Sequence, residues 1–143
     1  MSSFQANREV IFSGIDLSRS RWTVEHEKLA RFFPSIQLYG VDGRVTSAQG
    51  YLSTSYGSSY YVNIEIGQRY PYVLPRVCLP YTTVDSACPH RYSDGSICVM
   101  KSEQWSSSLS LAFLVAKTAV WLNKYDNWLR TGRTRWPGKG QPH

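Results

Sequence analysis

The chain has 143 residues, of which 42% are hydrophobic and 14% aromatic, so it is long and apolar enough to fold as one globular domain. The formal charge of +6 arises from sixteen basic and ten acidic residues, and part of it lies in the tail, at Arg130, Arg133, Arg135 and Lys139. Most of the aromatic residues follow strand and helix spacing. This pattern argues against nucleic-acid binding and favours an acidic protein partner or a solvated tail.

The ends and the apolar segments carry no export or membrane signal. The N-terminus lacks a basic cluster followed by an apolar run, and the apolar-rich segment Leu109–Leu122 is too short for a bilayer and contains Lys117. We therefore expect a cytoplasmic protein that does not enter a membrane. The three cysteines are an odd number in a chain without an export signal, so free thiols are expected.

The first half of the chain predicts a helix followed by a sheet. Residues 1–20 are expected to form a polar N-terminal arm of a single domain that spans residues 1–143. An apolar stripe predicts a helix from Arg21 to Phe33, which Pro34 ends. Alternating segments at hairpin spacing then predict an antiparallel meander, with a candidate bulge at Gly50. The predicted strands are Ile36–Tyr39, Val45–Ser55, Tyr60–Ile66 and Arg76–Leu79.

Two further predictions concern the middle of the chain, before and within the fourth strand. The segment Tyr70–Pro75 is bracketed by prolines and cannot join a sheet interior, so it is predicted to be a link before the fourth strand. Cys78 lies between Val77 and Leu79 and is predicted to be a small side chain in the core.

The second half predicts an irregular loop and then a long helix. The helix is expected from about Ser108 to Thr131, capped by one of the serines at 106–108 and ended by Gly132. The basic tail, residues 133–143, has little besides Trp136-Pro137-Gly138 to hold it. The predicted architecture is α+β: an N-terminal helix, a four-stranded antiparallel meander, a loop and a long C-terminal helix.

The loop between sheet and helix, Pro89–Val99, contains the most informative residues. It delivers one thiol, Cys98, and also contains His90, which can orient a reacting group or lower the pKa of the thiol. Long loops without regular structure inside compact domains tend to be functional. The apolar neighbours of Cys98 equally suit an inert cysteine buried in the core, so the local sequence leaves both interpretations open.

Other thiol chemistries fit less well. Cys88, His90 and Cys98 give three ligands, whereas a closed zinc site needs four, and the motif of zinc deaminases is missing. A cysteine hydrolase would need His90 as base and a third group to orient it, and no such group is evident. No metal and no cofactor are therefore expected. Cys88 is expected to be a spectator thiol, with a regulatory disulfide to Cys98 as the alternative.

Several segments, taken in order, resemble the core of ubiquitin-conjugating enzymes. They are the tyrosine-proline link, the fourth strand, His90, Gly95-Ser96-Ile97-Cys98-Val99 and Trp105-Ser106. The resemblance is closer to bacterial members of that family encoded in cyclic-oligonucleotide antiphage signalling (CBASS) operons. Those members share the loop His-x-Tyr-Ser-Asp-Gly-Ser-x-Cys and a C-terminal run, which here comprises Trp128–Gly132 and Trp136–Gly138. The resemblance implies a UBC-like fold.

The resemblance also implies a mechanism of two acyl transfers. Cys98 would accept the C-terminal carboxyl group of a partner protein as a thioester and then pass it to an amine or another nucleophile. In the resembled systems the acyl donor is expected to be the C-terminus of the operon's cGAS-like nucleotidyltransferase. The sequence shows no adenylating domain and no glycine-rich nucleotide loop, so a separate activating enzyme is expected. The oligomeric state is not indicated.

One departure from the family concerns the second transfer. The usual loop reads His-Pro-Asn, and its asparagine stabilises the oxyanion, a role worth about 3 kcal/mol for a typical donor. Here Arg91 and Tyr92 follow His90, and no asparagine precedes Cys98. The resemblance therefore implies Cys98 and His90 as catalytic residues, while the candidates for oxyanion or loop support are Tyr92, Ser93 and Ser96. The missing asparagine keeps open a catalytically silent UBC-fold binding module.

Overall fold

The computed structural model describes residues 20–138, so nearly all of the predicted N-terminal arm and the last five residues of the tail lie outside the described part. Two helices flank four strands in the order predicted. The elements are α1 (Arg21–Phe32), β1 (Ile36–Val41), β2 (Arg44–Ser53), β3 (Ser59–Glu65), β4 (Arg76–Cys78), a 3₁₀ turn (Ser102–Gln104) and α2 (Leu111–Arg130). No helix between residues 20 and 138 combines the length and apolar character that crossing a bilayer requires.

The first helix forms where its apolar stripe predicts it. The Ser20 hydroxyl caps it by accepting a hydrogen bond from the Thr23 amide at 3.2 Å. Val24 and Leu29 are buried in the core, and the helix ends one residue before the predicted end at Phe33. The predicted helix is confirmed.

The four strands form one antiparallel sheet in the order β1-β2-β3-β4, so the predicted meander is confirmed. Buried residues alternate with exposed ones along the strands, as a sheet covered on one face requires. The predicted bulge at Gly50 is wrong, because Gly50 pairs regularly and the register shifts between Tyr39 and Gly40. A Cβ atom at Gly50 would lie 2.0 Å from the carbonyl oxygen of Ser35, so close backbone approach explains this glycine.

The fourth strand corrects the prediction for Cys78. The side chain is half-buried, and its Sγ atom lies 3.7 Å from Glu65 Oε2. The prediction followed the apolar neighbours of Cys78, but in a strand alternate side chains face opposite sides of the sheet. Val77 faces the core, and Cys78 therefore faces the other side with Glu65 and Arg76.

The long helix begins slightly later than predicted. Its cap is Ser110, whose hydroxyl accepts from the Phe113 amide at 3.1 Å, and not one of the serines at 106–108. Ser106 and Ser108 instead bond to each other through their hydroxyls at 2.8 Å in the preceding turn. The helix packs across the sheet, and most of its residues from Leu111 to Ala116 are fully buried.

A buried carboxylate joins the two helices to the tyrosine-proline link. Glu25 is fully buried and accepts hydrogen bonds from Arg21 Nε at 2.8 Å, from the Leu111 amide at 2.9 Å and from the Tyr70 hydroxyl. The Tyr70–Pro71 peptide is cis, and the Pro71 carbonyl accepts a bond from the Trp105 indole at 2.8 Å. Because Trp105 follows the loop that carries Cys98, this network fixes the far end of that loop.

The start of the predicted tail is held more firmly than its sequence indicates. Trp136 packs against the aromatic residues of α2, as the tail prediction allowed. Arg133 supplies a second anchor that was not predicted, an ion pair with Asp85 at 2.6 Å.

Candidate active site

The loop that carries Cys98 is not irregular throughout, as was predicted, but contains a short antiparallel ribbon. We call residues His90–Tyr92 and Ser96–Cys98 the thiol ribbon. The Cys98 amide donates to the His90 carbonyl at 2.9 Å, and the Tyr92 amide donates to the Ser96 carbonyl at 2.9 Å. The Ile97 amide donates to the Val77 carbonyl at 2.9 Å, so the thiol ribbon is joined to β4. The thiol is therefore held at a defined place beside the sheet.

A tight turn between residues 92 and 96 closes the thiol ribbon. The Gly95 amide donates to the Tyr92 carbonyl at 3.0 Å, and Gly95 has a φ of +92°, which glycine adopts without strain. Asp94 Oδ1 accepts bonds from both the amide and the hydroxyl of Ser96, at 2.9 and 2.6 Å. These two bonds to Ser96, with a further bond from Arg76, lower the pKa of Asp94 to about 2. The Asp94 carboxylate therefore binds both the backbone and the side chain of Ser96 within the turn.

The Asp94 carboxylate also ties the turn to the sheet. Its Oδ2 atom accepts from Arg76 Nε at 3.1 Å, and Arg76 donates on its other side to Glu65 Oε1 at 2.7 Å. The turn, β4 and β3 are therefore linked through one guanidinium group. These two ion pairs of Arg76 are largely exposed, so they contribute little to the free energy of unfolding and mainly fix the position of the turn.

Tyr92 lies directly against the thiol. Its Oη atom is 3.2 Å from Cys98 Sγ, and the backbone carbonyl of Met100 lies 3.8 Å away on another side of the sulfur. Cys98 is only 5% exposed, whereas Tyr92 is 47% exposed, so the tyrosine separates the sulfur from solvent on this side. Met100, two residues after the thiol, is also buried.

The tyrosine and the burial act on the thiol in opposite directions. Burial raises the pKa of Cys98, and the hydrogen bond with Tyr92 lowers it, with a net increase. The same bond, followed by burial, raises the pKa of Tyr92 to about 12. At neutral pH the Tyr92 hydroxyl is therefore protonated. In the resting site the Cys98 thiol donates to its oxygen, and the hydroxyl becomes the donor only when the sulfur is charged.

His90 is placed through its backbone and its ring. Its carbonyl accepts bonds from the Cys98 amide and from the Trp121 indole, the latter at 3.2 Å. Its φ is +62°, in the left-handed region that few non-glycine residues occupy. The imidazole lies edge-to-face with the ring of Trp136, with 5.3 Å between the centroids. Ser93, by contrast, lies at the exposed tip of the turn.

A cleft of about 470 Å³ lies beside the thiol ribbon. We call it the Tyr92 cleft; its walls come from the ribbon and its turn, from β4 with the preceding link, and from the segment after the thiol. A second cleft, of about 440 Å³, shares Val73, Leu74 and Arg76 with it. The two form a surface path along the link that ends beside Tyr92.

Comparison with known proteins identifies the family. Residues 25–143 match the model of a family described as type II CBASS E2 protein. The chain belongs to this family. No curated protein matches the sequence.

The fold of this CBASS E2 protein is that of the ubiquitin-conjugating enzymes. The crystal structure of ubiquitin conjugating enzyme E2 UbcA1 from Agrocybe aegerita superimposes with a TM-score of 0.52 at 21% identity. The match covers 82% of this chain and 96% of that one. The predicted UBC-like α+β fold is confirmed.

The remaining thiol near the site is Cys88. It is buried, its Sγ atom lies 3.0 Å from the Pro89 carbonyl oxygen, and burial first, then the Asp85 charge, raises its pKa to about 12. Burial and a raised pKa are typical of structural thiols, and the spectator role of Cys88 stays a prediction. Between residues 20 and 138, no three His, Cys, Asp or Glu side chains are grouped to hold a metal ion.

Three residues of the site in this CBASS E2 protein were not predicted from its sequence. Asp94 could have been found, because Asp-Gly-Ser is a common turn sequence in which the carboxylate accepts from the backbone two residues on. Arg76 and Trp121 gave no local signal, since their contacts to the loop join residues far apart in the sequence.

Proposed function

We propose that this CBASS E2 protein is an acyl carrier in which Cys98 forms a thioester with the C-terminus of a partner protein and passes it to a nucleophile. The observation that carries the proposal is the hydroxyl of Tyr92 lying 3.2 Å from the sulfur of Cys98. In the resting site the thiol donates to this oxygen; once the sulfur is a thiolate, or an oxyanion forms beside it, the same hydroxyl can donate and stabilise the charge.

The first transfer converts one thioester into another. The Cys98 thiolate attacks the carbonyl carbon of a thioester on an activating enzyme, a tetrahedral oxyanion forms, and the enzyme's sulfur leaves as a thiolate. The free Cys98 thiol must first lose its proton, and its raised pKa makes this step costly at neutral pH. The Tyr92 hydroxyl reduces that cost by donating a hydrogen bond to the sulfur as it becomes charged.

The second transfer releases the acyl group. An amine or another nucleophile attacks the Cys98 thioester and loses a proton to solvent water. The Cys98 thiolate is displaced, and Tyr92 again donates to it. We assign the orientation of the reacting group to His90, whose carbonyl is hydrogen-bonded to the Cys98 amide. Ser96 supports the turn through Asp94, and Ser93 is a polar group at the exposed tip.

The acyl donor proposed here is the C-terminus of a cGAS-like nucleotidyltransferase of the same antiphage system, delivered by an activating enzyme in the cytoplasm. The family supports a role among CBASS components. The Tyr92 cleft offers an extended peptide end a place beside the thiol ribbon, with apolar walls such as Val77 and Val99 and the charged groups Arg76 and Asp94. Cys98 itself does not line this cleft.

The burial of Cys98 favours a second candidate function. A thiol that is 5% exposed and has a raised pKa is also what a catalytically silent UBC-fold binding module would show. In that case Tyr92 would merely cover the sulfur. The acyl-carrier proposal requires Tyr92 to move aside when the thioester forms.

A single experiment separates the two candidates. The chain is co-expressed with its operon neighbours, and the proteins are separated on a non-reducing gel. An acyl carrier gives an adduct that a thiol reductant cleaves; Cys98→Ala abolishes it, and Cys98→Ser converts it into an alkali-labile ester. Cys78→Ser, a cysteine on the outer side of β4, is the matched control and keeps the adduct. An adduct that survives in Cys98→Ala excludes this thiol as acceptor, and no adduct in the unaltered chain supports the silent module.

A further inference from the structure

The segment that follows α2 turns back toward the thiol ribbon. After Arg130 the chain reverses through Gly132 and Arg133, with φ values of +80° and +62°, and the Arg133 amide donates to the Trp128 carbonyl at 2.9 Å. We call residues Arg133–Gly138 the C-terminal strap. The family match includes these residues, but the proposed mechanism of two acyl transfers assigns them no role.

The centre of the C-terminal strap is an aromatic contact with the active site. The Trp136 ring lies 5.3 Å from the His90 ring and 5.4 Å from the Trp121 ring, between centroids. It also lies 6.4 Å from Trp128, so it closes a cluster of large rings. Trp121 in turn donates its indole N–H to the His90 carbonyl. His90 is therefore held by one tryptophan at its ring and by another at its backbone.

We propose that the C-terminal strap positions the thiol ribbon, with Trp136 acting as the positioning residue for His90. The assignment of a catalytic task to His90 rests on the proposed function, whereas the positioning of the ribbon can be tested without it. Trp136 acts through His90 and has no assigned contact with the reacting atoms.

The backbone of His90 explains why positioning is needed. A φ of +62° is strained for a residue with a side chain, and such conformations persist only where the surroundings over-determine them. Only in this conformation does the His90 carbonyl accept hydrogen bonds from both the Cys98 amide and the Trp121 indole. Without Trp136 against the ring, the strained residue can relax, and the bond to the Cys98 amide is lost.

A second contact of the C-terminal strap restrains the segment that leads into the thiol ribbon. Arg133 Nε lies 2.6 Å from Asp85 Oδ2. The backbone of Asp85 is also fixed, because its amide donates a hydrogen bond to the Tyr125 hydroxyl at 3.0 Å. Asp85 precedes His90 by five residues. The C-terminal strap therefore holds the incoming chain at Asp85 and at His90.

The first test needs no partner protein. Cys98 in the free chain is alkylated with iodoacetamide over a range of pH, and the rate is followed by mass spectrometry of its peptide. The expected result for Trp136→Ala is an increase of about tenfold at neutral pH, because the thiol opens locally. Its apparent pKa should fall toward the ordinary value as burial is lost. Trp136→Phe, which keeps an aromatic ring, should restore most of the original profile.

Matched variants separate positioning from general loss of stability. Trp22→Ala removes another half-buried tryptophan, packed against Gly40 at the far edge of the sheet, and should leave the Cys98 profile unchanged. The free energy of unfolding in urea, measured for each variant, reports global stability. If Trp136→Ala does not fold, Arg133→Gln removes only the exposed ion pair and should give a smaller change in the same direction. A Cys98 profile equal to that of the unaltered chain in each folded strap variant overturns the proposal.

The second test assigns the effect to His90. Discharge of the thioester to free lysine is measured for Trp136→Ala, His90→Ala and the double variant. Loss of positioning should slow discharge by about tenfold to a hundredfold, and the double variant should be no slower than His90→Ala alone. Effects that multiply overturn the role of Trp136 toward His90. The acyl-carrier proposal fails separately, in the gel experiment, if the adduct persists in Cys98→Ala. In that case the alkylation experiment alone still tests whether the C-terminal strap positions the thiol ribbon.

Discussion

The hydroxyl oxygen of Tyr92 lies 3.2 Å from the sulfur of Cys98, across one diagonal of a short antiparallel ribbon. Such diagonal neighbours share a face of a two-stranded ribbon. The hairpin geometry thus brings together a nucleophile and a donor that are separated by a turn in the sequence. In this chain the hydroxyl of Tyr92 is a polar group in direct contact with the thiol.

Replacing Tyr92 by phenylalanine should make Cys98 a weaker acid. A hydrogen bond to a charged group contributes about 1.5–3 kcal/mol, so its loss should raise the pKa of Cys98 by about one unit or more. The alkylation rate of Cys98 at neutral pH should then fall by about tenfold, because only the thiolate reacts. The measurement is the pH profile of iodoacetamide alkylation.

The control for this prediction is Tyr81→Phe. Tyr81 is 78% exposed and packs against Tyr61, so its hydroxyl should have no effect on Cys98. Tyr92→Ala should behave differently from Tyr92→Phe, because it removes the cover as well as the hydrogen bond and lets solvent reach the sulfur. Coinciding profiles for Tyr92→Phe and the unaltered chain would show that the hydroxyl does not stabilise the thiolate.

Replacing Asp94 by asparagine should change how stability depends on pH. The pKa of Asp94 is lowered to about 2 in the folded chain, so its charge adds stability that is fully present above the unfolded pKa of about 4. That contribution is lost as the pH falls from about 4 to about 2. Asp94→Asn should therefore melt below the unaltered chain at neutral pH, and the difference should close at about pH 2.

The matched control is Asp42→Asn, in the exposed turn between β1 and β2. Its melting temperature should follow that of the unaltered chain across the same pH range. A difference for Asp94→Asn that stays constant from neutral to acid pH would mean that the charge of Asp94 is irrelevant to the turn.

Replacing Glu25 by glutamine should destabilise the whole domain. Glu25 is fully buried, and Arg21 faces it at 2.8 Å with further bonds to the carbonyls of Ser107 and Leu109. Loss of one charge from a fully buried pair typically costs about 3–5 kcal/mol, since the other charge is left uncompensated. The Arg21 side chain is 19% exposed and keeps its bonds to the two carbonyls, so a loss of stability below that range is expected. The free energy of unfolding in urea checks this, with Glu27→Gln, exposed on the same helix, as control. Equal values for the two variants would contradict the prediction.

The helices and the order of the strands could be predicted because they depend on local periodicity and on prolines and glycines at their ends. The errors came where tertiary contacts decide. Gly50 marks a close approach to Ser35, which local sequence cannot distinguish from a bulge. Cys78 has apolar neighbours in sequence but faces Glu65 across the sheet.

The candidate site was predicted less completely than the fold. The spacing of His90, Tyr92, Ser96 and Cys98 was visible, because all lie within one short segment. The ribbon they form was not visible, since it depends on Ile97 bonding to Val77, twenty residues earlier. The support of His90 by Trp136 joins residues still farther apart, and a single sequence carries no record of such pairings.

The bond between Ile97 and Val77 also bears on how the chain withstands force. If Cys98 carries an acyl group as proposed, the attached protein pulls on the thiol and, through the backbone, on the residue before it. That residue, Ile97, is bonded to the central part of β4, which is itself paired along β3. The pull is thus shared among several hydrogen bonds of the sheet and does not fall on the exposed turn at Ser93 and Asp94. Under the proposed function, an attached protein can therefore move while the hydrogen bonds of the sheet keep the residues around the sulfur in place.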